Sequence, residues 1–237
     1  MNANITQLHF DTAGQILLPS LLHGAGLVLE TTLLGFLLAL VVGTFIAVGR
    51  LFAWRPFRAM LYSLLELVRG TPLLVQLVYI YYVVPLLINL LAGMCGYHTD
   101  VQISPLTAGI AGLALNYGCY MSEVIRGSIL SVDKGQTEAA LCLGFGEMEA
   151  LFRLIMPQAM RNIIPALGNY LVMMIKDTSL LAYVAVNELL LRTQTFASQT
   201  FLTIEAYTYL ALTYLILSLP LSRCVKFLEC KLSESRG

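Results

Sequence analysis

Charge is scarce in this sequence: Asp, Glu, Lys and Arg make up 12% of its 237 residues, and 14 basic side chains balance 14 acidic ones. So little polar surface cannot cover a water-soluble globule of this size. No run of Lys or Arg stands out, which removes the electrostatic footprint of a nucleic-acid partner. The five cysteines, Cys95, Cys119, Cys142, Cys224 and Cys230, lie in or beside apolar segments, without CxxC spacing or a set of histidine partners. They suggest no metal site and read as buried thiols. His9, His23 and His98 are scattered, and no nucleophile and base are paired by spacing, so no catalytic set emerges. A GxxxxGK[ST] phosphate loop is missing, so the chain cannot cradle ATP by that device. No Lys or Arg precedes Arg50, which leaves no basic leader of a signal peptide.

What the sequence has in quantity is apolar: 58% of residues are hydrophobic, and the mean hydropathy is +0.77. Several stretches reach the roughly 20 apolar residues that a helix needs to cross a bilayer, with no period-2 alternation. The expectation is an all-α integral membrane bundle with five transmembrane helices, over about 24–49, 59–93, 105–129, 163–191 and 201–221, forming a single domain over 1–237. The second region is longer than one crossing requires and is interrupted by Glu66, Arg69 and Gly70-Thr71-Pro72. A kinked helix, or an interfacial stretch plus a span, both fit. Sorting Lys and Arg by loop places Arg50, Arg55 and Arg58, then Lys134, Arg153 and Arg161, then Arg223, Lys226, Lys231 and Arg236 on one side, against Arg192 alone on the other. The positive-inside rule puts the N-terminus outside and the C-terminus in the cytoplasm.

The longest connection, Ser131 to Asn162, is expected on the cytoplasmic side. It reads Glu138-Ala139-Ala140, three residues, Gly144, nine residues, then Leu154-Ile155-Met156-Pro157. The first portion favours helix, and Gly144 and Gly146 permit a sharp turn after it. Small residues there would let a neighbouring backbone come close, with Leu141 and Phe145 as an apolar anchor.

This pattern resembles the EAA motif of bacterial ATP-binding-cassette (ABC) importer permeases, with Leu154 in place of Ile and Met156 in place of Leu. The stretch Arg69-Gly70-Thr71-Pro72-Leu73-Leu74-Val75-Gln76 is similar to the signature of the polar amino acid subfamily, of the histidine, glutamine and arginine type. Pro165-Ala166-Leu167-Gly168-Asn169, Lys176-Asp177-Thr178-Ser179-Leu180, Glu123-Val124-Ile125-Arg126-Gly127 and Glu205-Ala206-Tyr207 extend the likeness over nearly the whole chain after the first span. The resemblance implies a non-catalytic permease domain of the bacterial inner membrane, with a coupling segment over about 131–157. Glu138, Ala139, Ala140 and Gly144 would dock on a partner ATPase. That partner would carry ATP and Mg, and this chain would bind no cofactor. Further implied partners are a substrate-binding protein outside, a second permease chain (identical or a sister) and an amino acid as cargo.

Polar groups at membrane depth are functional candidates. From Pro105, Asn116 follows after eleven residues, a rise of roughly 16 Å. Tyr120 and Glu123 share its face at i+4 and i+7. Lys176 and Asp177 arrive at similar depth from Pro165 on the opposite side. An amino acid away from water needs a cation or amide donors for its carboxylate and a carboxylate for its ammonium. Asn116, Tyr120, Glu123, Lys176, Asp177, Thr178 and Ser179 are the expected substrate path. The alternative is that Lys176, Asp177 and Glu123 pair among themselves to fix helix packing. An ion-coupled carrier or channel would use the same three as a relay without any ATPase, and leaves the EAA segment unexplained. Arg69 is expected to pair locally with Glu66.

Overall fold

The computed structural model describes residues 8–97 and 99–234; His98 and Arg236 lie outside them. Every regular element among the described residues is helical. The first, α1 (Phe10–Phe52), has 43 residues, about 65 Å at 1.5 Å per residue. It begins well before the expected Gly24. Ala13, Leu17 and Leu21, spaced by four, are buried against Ala206 and Leu210 of the last helix. The His9 backbone N–H donates to Glu205 Oε1 at 2.8 Å, and the Tyr209 hydroxyl to the Phe10 carbonyl at 3.0 Å. This packing sustains helix through Pro19.

The region expected over 59–93 is two helices, α2 (Arg55–Arg69) and α3 (Leu73–Met94). Pro72 sits at the α3 N-cap in extended conformation, where its ring and missing N–H end any continuous helix. On α2, Leu61, Leu65 and Val68 are buried at i, i+4 and i+7.

Next come α4 (Pro105–Leu130), capped by Ser104 accepting from Thr107 N–H at 3.2 Å, and the short α5 (Lys134–Cys142). Helix α6 runs over 147–177. The expected span 163–191 is therefore not one helix. Thr178–Val184 tightens into a 3₁₀ turn that ends in a left-handed Ala185, and α7 (Leu189–Thr200) starts afresh behind the cap of Glu188. The last helix, α8 (Thr203–Glu234), continues well beyond 221. Wide π-turns at Tyr79–Val83 in α3 and Leu151–Ile155 in α6 each stand two residues before a proline, Pro85 and Pro157. They open the backbone where a proline ring would collide with the carbonyl four residues earlier.

By length and composition, α1, α3 and α8 are apolar enough to cross a membrane. Helices α4 and α6 are long as well, but carry the polar residues of the site. α1 and α4 form the central pair. A Cβ at Gly43 would stand 2.9 Å from the Gly118 carbonyl oxygen, and one at Gly118 3.2 Å from that of Ala39. Such backbone contact needs glycine on both sides and is how helices pack where apolar burial supplies little force. Outward, Leu29, Leu33, Leu37, Val41, Phe45 and Val48 of α1 are all exposed, a stripe that suits lipid. For the same reason apolar context did not imply burial of the thiols: only Cys119 is buried, and the other four cysteines are exposed.

Candidate functional site

The break between α2 and α3 builds one wall of a cavity of about 540 Å³, lined by Arg69 to Leu73, by Asn116, Tyr117 and Tyr120 of α4, and by Tyr170, Met173 and Asp177 of α6. Gln76 anchors the break. Its amide nitrogen reaches the Val68 carbonyl at 2.6 Å, the Thr71 carbonyl at 3.0 Å and the Thr71 hydroxyl at 2.9 Å. Its amide oxygen accepts from Asn116 Nδ2 at 3.0 Å, and both amides are buried. Replacing either partner would leave a buried polar group unmet. Asn116 thus fixes the loop while lining the cavity.

Both signs of charge meet the cavity. The Arg69 guanidinium lies over the Tyr120 ring at 5.6 Å, a cation–π geometry. Asp177 accepts the Tyr117 hydroxyl at 2.6 Å. Tyr170 packs edge-on to Tyr117, with ring centroids 6.0 Å apart, and tilted to Tyr120 at 6.3 Å. The start of α3 adds backbone N–H groups without intrahelical acceptors, which together with the helix dipole favour a negative group.

Of the seven expected path residues, Asn116, Tyr120 and Asp177 line this cavity, while Glu123, Lys176, Thr178 and Ser179 do not. Glu123 is one turn too far along α4. It is ion-paired with Arg50, with Arg126 at 3.3 Å and, more loosely, with Arg69 at 3.9 Å. Arg69 therefore turns to Glu123 and Tyr120 instead of Glu66. Lys176 is exposed, and among the described residues Lys176, Asp177 and Glu123 make no ion pair with one another. Thr178 is fully buried, its hydroxyl donated to the Ile175 carbonyl at 2.6 Å. Tyr117, Tyr170 and Met173 were missed. Tyr170, Met173 and Asp177 follow one another at i, i+3 and i+7, a face legible in the sequence.

At one end of the bundle, α5 stands apart as a short capped helix. Asp133 Oδ1 accepts the Gly135 N–H at 2.6 Å. At the exit, Phe145 N–H donates to the Ala140 carbonyl at 3.1 Å and Gly144 N–H to that of Leu141 at 3.0 Å, with Gly144 at φ 88°. This is a Schellman ending, which glycine adopts without strain. Glu138, Ala139 and Gly144 are exposed, whereas Ala140 is 1% exposed and faces the chain's own interior. The outward face instead gains Leu141 and Leu143, the latter 78% exposed.

A family model described as the inner membrane component of binding-protein-dependent transport systems matches residues 39–234. The chain belongs to that family. Among its relatives, the glutamine transport system permease protein GlnP of Escherichia coli (strain K12) is 34% identical over 212 residues, 90% of this chain and 92% of that protein. The L-cystine transport system permease protein TcyB of Bacillus subtilis (strain 168) is 36% identical over 189 residues, 80% of this chain and 76% of that one. A crystal structure of an amino acid ABC transporter with histidines superposes with a TM-score of 0.83 at 31% identity, over 95% of this chain and 100% of that chain. An inward-facing MetNI methionine ABC transporter shares the fold, with a TM-score of 0.62 at 15% identity over 92% and 98%. This inner membrane component is thus a permease subunit of an ABC transport system, and the membership leaves an ATPase-independent carrier without support.

Proposed function

We propose that this permease subunit carries an amino acid across the bacterial inner membrane through the cavity between α3, α4 and α6. The observation that carries the reading is the placement of Arg69 and Asp177 on one cavity wall system together with the N-terminus of α3. The cargo's carboxylate goes to Arg69 and the free N–H groups of α3, as half-helix N-termini serve carboxylates in other transporters. Its ammonium goes to Asp177, held in place by Tyr117. Five crossings, with the N-terminus outside and the C-terminus in the cytoplasm, put α5 on the cytoplasmic side. There Glu138, Ala139, Leu141, Leu143 and Gly144 dock on an ATPase that binds ATP and Mg. A second permease chain completes the pathway, and a substrate-binding protein delivers from outside. Closure of the ATPases pushes α5 and changes the side to which the cavity opens.

The test is ATP-dependent amino acid uptake into proteoliposomes holding the chain with its co-purified partners. Arg69→Ala and Asp177→Asn should each abolish uptake while leaving the complex assembled and its basal ATP hydrolysis intact. Native uptake in both variants would remove the cavity from the pathway.

A further inference from the structure

A second cavity, of about 500 Å³, opens where α1 ends and α2 begins, with α4 behind them. Its wall carries four guanidinium groups, Arg50, Arg55, Arg58 and Arg126, beside Tyr62 and Ser63. One carboxylate, Glu123, pairs with Arg50 and Arg126 and is shared with Arg69 as well. No ion pair among the described residues involves Arg55 or Arg58; the Arg58 guanidinium donates only to the Ala53 carbonyl at 3.1 Å. The buried Nε of Arg126 has no hydrogen-bond partner among the described residues. Glu66, one turn past Tyr62, is exposed and outside the cavity. The cavity thus holds several cationic donors against one shared anion, and an external anion finds donors there that the chain's own carboxylate does not take.

The surroundings say which acceptor. Met60, Leu64 and Leu67, at i, i+4 and i+7 of α2, are exposed on the side of the helix turned away from Arg55 and Arg58, and Trp54 just ahead of the helix is 73% exposed. An amphipathic helix with arginines on one face, apolar residues on the opposite one and a tryptophan at its end sits at a bilayer surface. We propose that this cavity binds the phosphodiester of an anionic phospholipid. The arginines take the phosphate oxygens, bidentate where the fork permits, while the apolar face of Met60, Leu64 and Leu67 seats α2 in the bilayer so that the arginines stand at headgroup depth. Free phosphate offers the same oxygens, but is not concentrated at the depth that the apolar face sets. The site is separate from the Arg69 and Asp177 cavity and does not depend on the cargo assigned there.

Trp54 is the only tryptophan in the chain and adjoins Arg55, so its fluorescence reports on this cavity alone. The purified full chain is reconstituted into phosphatidylcholine vesicles holding a minor fraction of brominated phosphatidylglycerol, and quenching is compared with that from the same fraction of brominated phosphatidylcholine. Phosphatidylglycerol should quench as if enriched around Trp54, and Arg55→Gln with Arg58→Gln should lower that enrichment by about thirtyfold, the factor two arginines contribute at an anionic surface. Arg55→Lys with Arg58→Lys should retain part of it. If the double glutamine variant loses its helix content, Arg55→Gln alone serves, since Arg55 makes no ion pair among the described residues. Equal quenching by the two lipids, or an enrichment untouched by the glutamine variants, overturns the proposal. So does removal of the enrichment by inorganic phosphate at constant ionic strength, which would assign the cavity to the free anion.

Discussion

Replacing Gly144 isolates how α5 works, because the structure separates two roles that the residue could have. Nothing lies within 4 Å of a Cβ built at Gly144, yet its φ is 88°. A side chain there meets no steric obstacle within the chain, and its cost is conformational, about 1–2 kcal/mol for an L-residue held in the left-handed region. Helix α5 has nine residues, too few to persist without its caps. Taking that cost off the Schellman exit lowers the ratio of capped to frayed α5 by about five- to thirtyfold. In proteoliposomes with the ATPase partners, Gly144→Val should therefore reduce the ATP hydrolysis stimulated by loaded binding protein by a comparable factor, with the basal rate unchanged. Asn enters the left-handed region more readily than other residues, so Gly144→Asn should keep most of the stimulation. Equal damage from Asn and Val would refute the backbone account and point to close approach of a partner. Native behaviour of Gly144→Val would refute any role for the turn.

Three further outcomes follow from the packing. Gln76→Leu removes the anchor of the α2–α3 break and leaves the Asn116 amide nitrogen unmet; it should cost about 1–3 kcal/mol, seen as a lowered Tm in detergent together with lost uptake. Gly43→Val forces apart the backbones of α1 and α4, an overpacking of about 1–3 kcal/mol, measurable as a lower Tm, while Gly26→Val, with open space around it, should leave Tm unchanged. Glu123→Gln strips the anion from Arg50, whose side chain is 9% exposed. It should destabilise the chain by about 3 kcal/mol, the cost of breaking a largely buried pair, and an unchanged thermal unfolding curve would contradict that placement.

Much of the architecture was legible because membrane helices announce themselves by length and composition, and because the EAA segment follows helix-forming residues with Gly144 and Gly146, which permit a sharp turn. Site residues were harder, since depth along one helix says nothing of which neighbour stands opposite. Asn116, Tyr120 and Glu123 do share a face of α4, but one more turn carries Glu123 out of the cavity and into contact with Arg50 and Arg126. Lys176 and Asp177 are adjacent, so their side chains diverge by about 100° on α6, and only Asp177 turns inward. Arg69 was expected to follow the i,i+3 rule to Glu66. Arg69 is still helical, as the last residue of α2, but the tertiary partners Tyr120 and Glu123 take the guanidinium. Ala140 belongs to the motif by spelling but to the interior by position, since α5 presents only one face outward.

The most direct test of the transport cavity is a structure of the assembled transporter with its amino acid bound. The cargo's carboxylate should lie within hydrogen-bonding reach of Arg69 or the first N–H groups of α3, and its ammonium beside Asp177. Density for the amino acid elsewhere in the permease, touching neither Arg69 nor Asp177, would contradict the assignment.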